Sequence, residues 1–145
     1  EYLMKPQSAK AKGRNLQKWV VQQLIETFDI HPEDIKSCSM GAGGEDVQMA
    51  RSAREKFPYS VECKNVEKLN IWDAYDQAKA NCGNYEPIVV MKKNGKQPLV
   101  VIDAKSFIEL NKEKKVTTIA KIIFILAQKN TAAVDRYLML FSVLT

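Results

Sequence analysis

The stretch Tyr59 to Val66, YSVECKNV, decides how the rest of the chain is read. In an extended backbone, residues two apart point to the same side. Tyr59, Val61 and Cys63 therefore share an apolar face, while Ser60, Glu62 and Lys64 share a polar one. An acid and a base side by side on one strand face allow two readings. They form a surface ion pair that contributes under about 1 kcal/mol, or they are half of a metal-dependent active site.

Working outward on the N-terminal side, Asp46 closes the segment GAGGED and opens the alternating run DVQMAR. REKFPY then carries the chain round a turn into Tyr59, so a hairpin would bring Asp46 close to Glu62 and Lys64. Two carboxylates so placed make a hard oxygen site suited to Mg²⁺, which keeps several of its own waters. Such an ion stabilises charge on a phosphate and acidifies bound water, and an adjacent lysine can orient that water or neutralise the developing charge. Gly43 and Gly44 would let a phosphate backbone approach closely. The glycine segment is not a P-loop, since no Gly-Lys-Ser/Thr follows it.

The helix and strand signals are regular elsewhere. RNLQKWVVQQLIETF, Arg14 to Phe28, places Leu16, Trp19, Val20, Leu24 and Phe28 at helical spacing. Gln23 falls inside that stripe, as a buried amide satisfied by backbone or as the border of a polar site. A short strand is expected over residues 35–40. After YSVECKNV, Asn70 and Asp73 form a weak cap pair ahead of IWDAYDQAKANC, whose Ile71, Ala74, Tyr75, Ala78 and Cys82 form an apolar face. PIVVMKK and PLVVIDA are buried-type strands joined across Asn94-Gly95, a strong hairpin signal. KSFIELNKEKK reads as a short closing helix, and VTTIAKIIFILA and VDRYLMLFSVL as two apolar, helical pieces beyond it. The order helix, three strands, helix, two strands is that of a mixed α/β sandwich.

Composition bounds the function. The chain has 145 residues, 46% hydrophobic and 27% charged, enough for one domain with a real core. Its formal charge of +5 is concentrated in two segments. Residues 1–14 carry Lys5, Lys10, Lys12 and Arg14 against Glu1, and residues 91–115 carry seven lysines against Asp103, Glu109 and Glu113. Two basic segments favour a polyanionic partner, nucleic acid first, and charge alone fits ordinary solvated surface lysine equally well. Cys38, Cys63 and Cys82 lack CxxC spacing, which argues against a disulfide framework or a zinc site and for a reducing cytoplasm. His31 is the single histidine, so multi-histidine metal sites are out and a triad is weakened. IIFILA is too short to span a bilayer, and the basic start lacks the apolar core of a secretory leader, with Met4 a candidate natural start.

Asp46 in GGEDV followed by Glu62-x-Lys64 in VECK resembles the PD-(D/E)XK nuclease signature. The resemblance covers Arg14 to Leu110, about two thirds of the chain. Within that superfamily the run IWDAYDQAKANC then PIVVMKKNGKQPLVVI is most similar to small phage and archaeal Holliday-junction resolvases. The resemblance implies a restriction-endonuclease-like mixed β-sheet flanked by helices, an α-β-β-β-α-β-β core, with an extra C-terminal helical segment. It implies a basic flexible arm over 1–13, a nuclease core over 14–110 and an extension over 111–145 packed on the core or on a dimer partner. Asp46 and Glu62 would be metal ligands together with the main-chain carbonyl of Cys63, Lys64 the catalytic lysine, and Gln77 in YDQA a residue bordering the site. Lys10, Lys12, Arg14, Gly43, Gly44, Lys92 and Lys93 would meet DNA. Mg²⁺ is the expected cofactor, with Mn²⁺ as a substitute, and a homodimer cutting branched DNA in the cytoplasm (the host's, for a phage protein) the expected assembly. Two features depart from the pattern: Glu45 stands where a proline is common, and the first helix offers Gln23 inward, with Glu26 at the edge, where a glutamate is frequent. A nuclease-fold module that binds nucleic acid or a protein without cutting, and a site-specific restriction-type enzyme, are the alternatives.

Overall fold

The computed structural model describes residues 6–38 and 43–129; for residues 6–8, 113–118, 123, 124 and 126–129 only the backbone is described. The expected strand end at Met40, part of the glycine segment and VDRYLMLFSVL lie outside these residues. The described chain runs α1 (Pro6–Phe28), β1 (Ile35–Ser37), β2 (Val47–Met49), α2 (Arg51–Lys56), β3 (Tyr59–Asn65), α3 (Ile71–Asn81), β4 (Glu86–Lys92), β5 (Leu99–Val101) and α4 (Ala104–Lys129), with a 3₁₀ turn over Pro32–Asp34. It is a mixed α/β protein with two small sheets, β1-β2 and β3-β4-β5. Two compact units are delimited, Glu1–Asp103 and Ala104–Thr145.

In the first unit, β3 and β4 are parallel, in register from Tyr59↔Glu86 to Asn65↔Lys92. Parallel neighbours need a crossover, and α3 supplies it. Its start is fixed as the cap pair suggests: Asn70 Oδ1 accepts from Trp72 N at 3.2 Å and Asn70 Nδ2 donates to Asp73 Oδ2 at 2.7 Å. β5 returns antiparallel to β4, pairing Val89↔Val101 and Met91↔Leu99, across a turn with Gly95 at φ 67°. Only glycine adopts that left-handed backbone without strain. β5 is short and its Leu99 and Val100 are exposed, so it is an edge rather than a buried strand.

Two apolar layers sandwich β3 and β4. Leu16, Val20 and Leu24 of α1 pack with Val61, Cys63, Ile88 and Val90, and Ala74 and Ala78 of α3 pack with Val89. The alternation in YSVECKNV is real, but its second face is not solvated. Ser60 and Glu62 are as buried as Val61, because α3 covers them.

Three expectations change. Between β2 and β3 lies the helix α2, so there is no hairpin; β2 pairs instead with β1, antiparallel, Ile35↔Met49. Residues 6–13, expected as an arm, are the first turns of α1, and Lys12 O accepts from Asn65 Nδ2 at 3.1 Å. KSFIELNKEKK is not a separate short helix; α4 continues through it to Lys129. Among the described residues, no helix is long and apolar enough to cross a membrane.

Candidate metal and phosphate site

Without a hairpin, Asp46 still reaches β3, by its own backbone. Its N–H donates to Val61 O at 2.9 Å, its carbonyl accepts from Cys38 N at 2.9 Å, and its Oδ2 accepts from Cys63 N at 2.7 Å. Asp46 thus occupies the edge of β3 opposite β4. A strand residue presents N–H and C=O to the same side, so the Cys63 carbonyl lies on the edge that Asp46 flanks. The Cys63 thiol is buried on the α1 side, where burial first and the charge of Asp46 next push its pKa far up. The thiol lies on the face opposite Glu62, so the carbonyl is the Cys63 candidate for the site.

Glu62 is 4% exposed on the α3 face. Burial raises its pKa, with the Asp46 charge adding to the rise; Lys64 and the Asn81 side chain oppose it by hydrogen bonding. Lys64 Nζ lies 2.7 Å from Glu62 Oε1 and donates to Gln77 Oε1 at 2.8 Å. Asp46, Glu62, Cys63, Lys64 and Gln77 are therefore brought together.

Gln23 is not among them. It is exposed and bonds Glu26 at 3.5 Å, while Gln17, 3% exposed, donates Nε2 to Asp46 Oδ1 at 2.8 Å. Counting Trp19 into the apolar stripe turned the helix the wrong way, since Trp19 is 45% exposed. The stripe Leu16, Val20, Leu24, with Val21 and Ile25 at its flank, contains position 17 and not 23. An amide at i−3 from Val20 and i−7 from Leu24 was the available signal.

Arg54 of α2 was also unforeseen. It is 5% exposed, donates to Tyr59 O, pairs with Glu45 beside Asp46, and stacks over the Tyr85 ring at 4.2 Å. Glu45 is thus held by a buried cation. Gly43 and Gly44 just before it have φ of 65° and 89°, conformations that favour glycine, with open space around them.

Comparison with known protein families, with curated proteins and with solved structures finds no match.

The local chemistry can still be tested against a metal. Among the described residues there is no group of three or more His, Cys, Asp or Glu side chains that could hold an ion. The donors are fewer and hard: the carboxylates of Asp46 and Glu62 and the Cys63 carbonyl. Mg²⁺ keeps several waters and is commonly bound by one or two carboxylates plus phosphate. Gln17 Oε1 is buried beside Asp46 without a partner among the described residues. A buried orphan oxygen costs about 1–3 kcal/mol, which the water shell of a cation would offset. Burial raises the Glu62 pKa first, and the charge of Asp46 adds to the rise, so a cation between the two acids would relieve both. The residues fit a small divalent ion.

The expected DNA contacts are more dispersed. Lys10 and Arg14 are exposed on α1, and Lys12 Nζ donates to Asn94 Oδ1 of the β4–β5 turn at 2.9 Å. Lys92 ends β4 and Lys93 follows it, exposed.

Proposed function

We propose that this chain is a Mg²⁺-dependent DNA endonuclease of the restriction-endonuclease-like fold, selective for branched DNA in the manner of the resolvases it resembles. The observation that carries the reading is the convergence of Asp46, Glu62, Lys64 and Gln77 around residues 62–64 of β3 although Asp46 and Glu62 are separated by a helix in the chain.

Asp46 and Glu62, with the Cys63 carbonyl, would hold the ion, and Mn²⁺ would substitute for it. When bound, it supplies charge stabilisation at a phosphate and a more acidic water. The chain's own residues do the remaining work. Gln17 and the Cys63 N–H fix both oxygens of Asp46. Gln77 keeps Lys64 Nζ at the mouth of the site, where its charge balances the phosphate and its N–H groups orient the attacking water. Gly43 and Gly44 leave the backbone open to a DNA strand, and Lys10, Arg14, Lys92 and Lys93 supply phosphate contacts. Paired cuts in a two-fold symmetric junction need two sites, hence a homodimer. The exposed Phe107, Ile108, Ile119, Ile122 and Ile125 of α4 are apolar surface of the kind such a contact uses.

One observation favours the reading in which the fold binds without cutting: Asp46 is satisfied on both oxygens and Glu62 is already paired, so the cluster is closed upon itself. Incubation with Mg²⁺ and a panel of linear, flapped and four-way DNA separates the two. Preferential cutting of the four-way substrate, lost in Asp46→Asn, is expected. Binding of DNA without cleavage of any substrate would select the non-catalytic reading.

A further inference from the structure

We infer that the cleft beside Lys64 binds a nucleotide, taking an unstacked base of the DNA on its apolar floor and the adjoining phosphates on its lysine rim. The inference rests on the nuclease reading for the polymer, but not for the cleft itself.

The cleft follows from strand register. Lys64 pairs with Met91 and Met91 with Leu99, so the three lie side by side across β3, β4 and β5. Direct partners share a sheet face. It is the α3 face, because Val89, two residues before Met91, packs on Ala74 and Ala78. Neighbouring strands are about 4.8 Å apart, so the floor of Met91 and Leu99 begins one strand from the backbone of Lys64, whose ammonium the proposed chemistry uses. Val66, Leu69 and Ile71 wall a space of about 450 Å³ above it. That lies in the range of sites that hold small molecules, about 300–1,000 Å³.

Its rim selects the ligand's charge. Lys92, Lys93 and Lys96 line the cleft with Glu67 as the lone acid. Glu67 Oε1 accepts from Asn94 N at 3.0 Å, and with its charge counted the rim still carries a positive excess, three lysines against one carboxylate. Among the described residues the three lysines enter no ion pair. The turn that carries Lys93 and Lys96 is held by Glu67 and by Lys12 Nζ on Asn94, with Lys96 N donating to Lys93 O at 3.2 Å. A cationic rim carried on a held turn over an apolar floor suits a ligand with a flat apolar face and a negative tail. A nucleotide has both. A base inside a continuous duplex enters only after unstacking and unpairing, at a cost of a few kcal/mol, whereas one at a branch point, already less well stacked, can be withdrawn at less cost. The cleft would thereby select branched DNA, at a distance from Lys64 that one nucleotide spans.

The test uses full-length protein, no divalent metal, and four-way DNA with 2-aminopurine at the branch point. Its fluorescence should rise on binding as the base leaves the stack. Leu99→Ser and Ile71→Ser change exposed side chains, 61% and 41%, and thermal denaturation checks that both fold. Each should remove the rise and lower the ratio of four-way to linear affinity about tenfold, the scale of one lost base contact. A flat signal with wild type, or an unchanged ratio in both variants, overturns the inference. If wild type binds no DNA, the nuclease reading fails, and titration with deoxyadenosine monophosphate decides the cleft alone. A shift of the Met91 methyl resonance that Leu99→Ser removes would uphold it, and no shift would overturn it.

Discussion

Two carboxylate–cation pairs flank the same strand and are built in opposite senses. In Glu45–Arg54 the cation is the buried partner, at 5% side-chain exposure against 21% for the acid. In Glu62–Lys64 the acid is buried, at 5%, and the cation reaches solvent, at 24%. A guanidinium stays charged at any working pH, and Arg54 is tied to Tyr59 O and the Tyr85 ring as well, so that pair is a fixed strut. Glu62 is buried with its pKa raised, and Lys64, which reaches solvent and also donates to Gln77 Oε1, caps it; this is the pair the proposed chemistry would use. The difference teaches that ion pairs close in space can divide labour, one setting the position of Asp46 through Glu45 and the other offering chemistry.

Substitution should separate the two pairs by what each one loses. Lys64→Ala is expected to lower Mg²⁺-dependent cleavage by about 10³-fold, as loss of a charge-stabilising group does, with DNA affinity little altered in a filter-binding assay. Comparable cleavage by the variant would place the chemistry elsewhere. Arg54→Met should act on the other property: leaving Glu45 and Tyr59 O without their partner costs about 3–5 kcal/mol, read from urea denaturation, and more than Lys64→Met costs. Equal losses would erase the distinction between strut and site.

Metal should stabilise through Glu62 and Asp46 and not through the Glu45–Arg54 pair. At 100 times its dissociation constant, Mg²⁺ should add about 2.7 kcal/mol to wild type and far less to Glu62→Gln or Asp46→Asn, seen as a shift in melting temperature. Without metal, Glu62 sets a pH dependence of known sign. An acid whose pKa rises on folding contributes its stability in full below the ordinary carboxylate range and loses it as pH climbs through the raised value. Wild type should therefore lose stability against Glu62→Gln as pH rises from about 4 toward neutrality, and parallel curves would mean that Glu62 titrates normally. The smallest effect is expected at Gln17→Leu. It removes one donor from Asp46 and one orphan oxygen together, for a net change within about 1 kcal/mol, while metal affinity falls measurably by calorimetry.

Much of the site was legible in the chain because its signals are local. Alternation put Glu62 and Lys64 on one face, Asn70 and Asp73 marked the start of α3, and Asn94-Gly95 marked the β4–β5 turn. Each depends on residues within a few positions. Gln17 was missed because a helical stripe can be phased by Trp19 or by Val21, and only a packed neighbour chooses between them. Arg54 and Glu45 meet across a helix whose six residues, Arg51–Lys56, contain no apolar repeat to announce it.

By itself, then, the sequence marked β3, α3 and the β4–β5 turn, the residues proposed for metal and phosphate chemistry, and the cationic balance. Tertiary structure decided what covers each face. It buried Glu62 beneath α3 and so raised its pKa, brought Asp46 onto β3 through backbone hydrogen bonds instead of a hairpin, and set Met91 and Leu99 beside Lys64. Periodicity tells which side chains point together. What they point at depends on contacts between segments far apart in the chain, which burial and backbone pairing select only once the fold is formed.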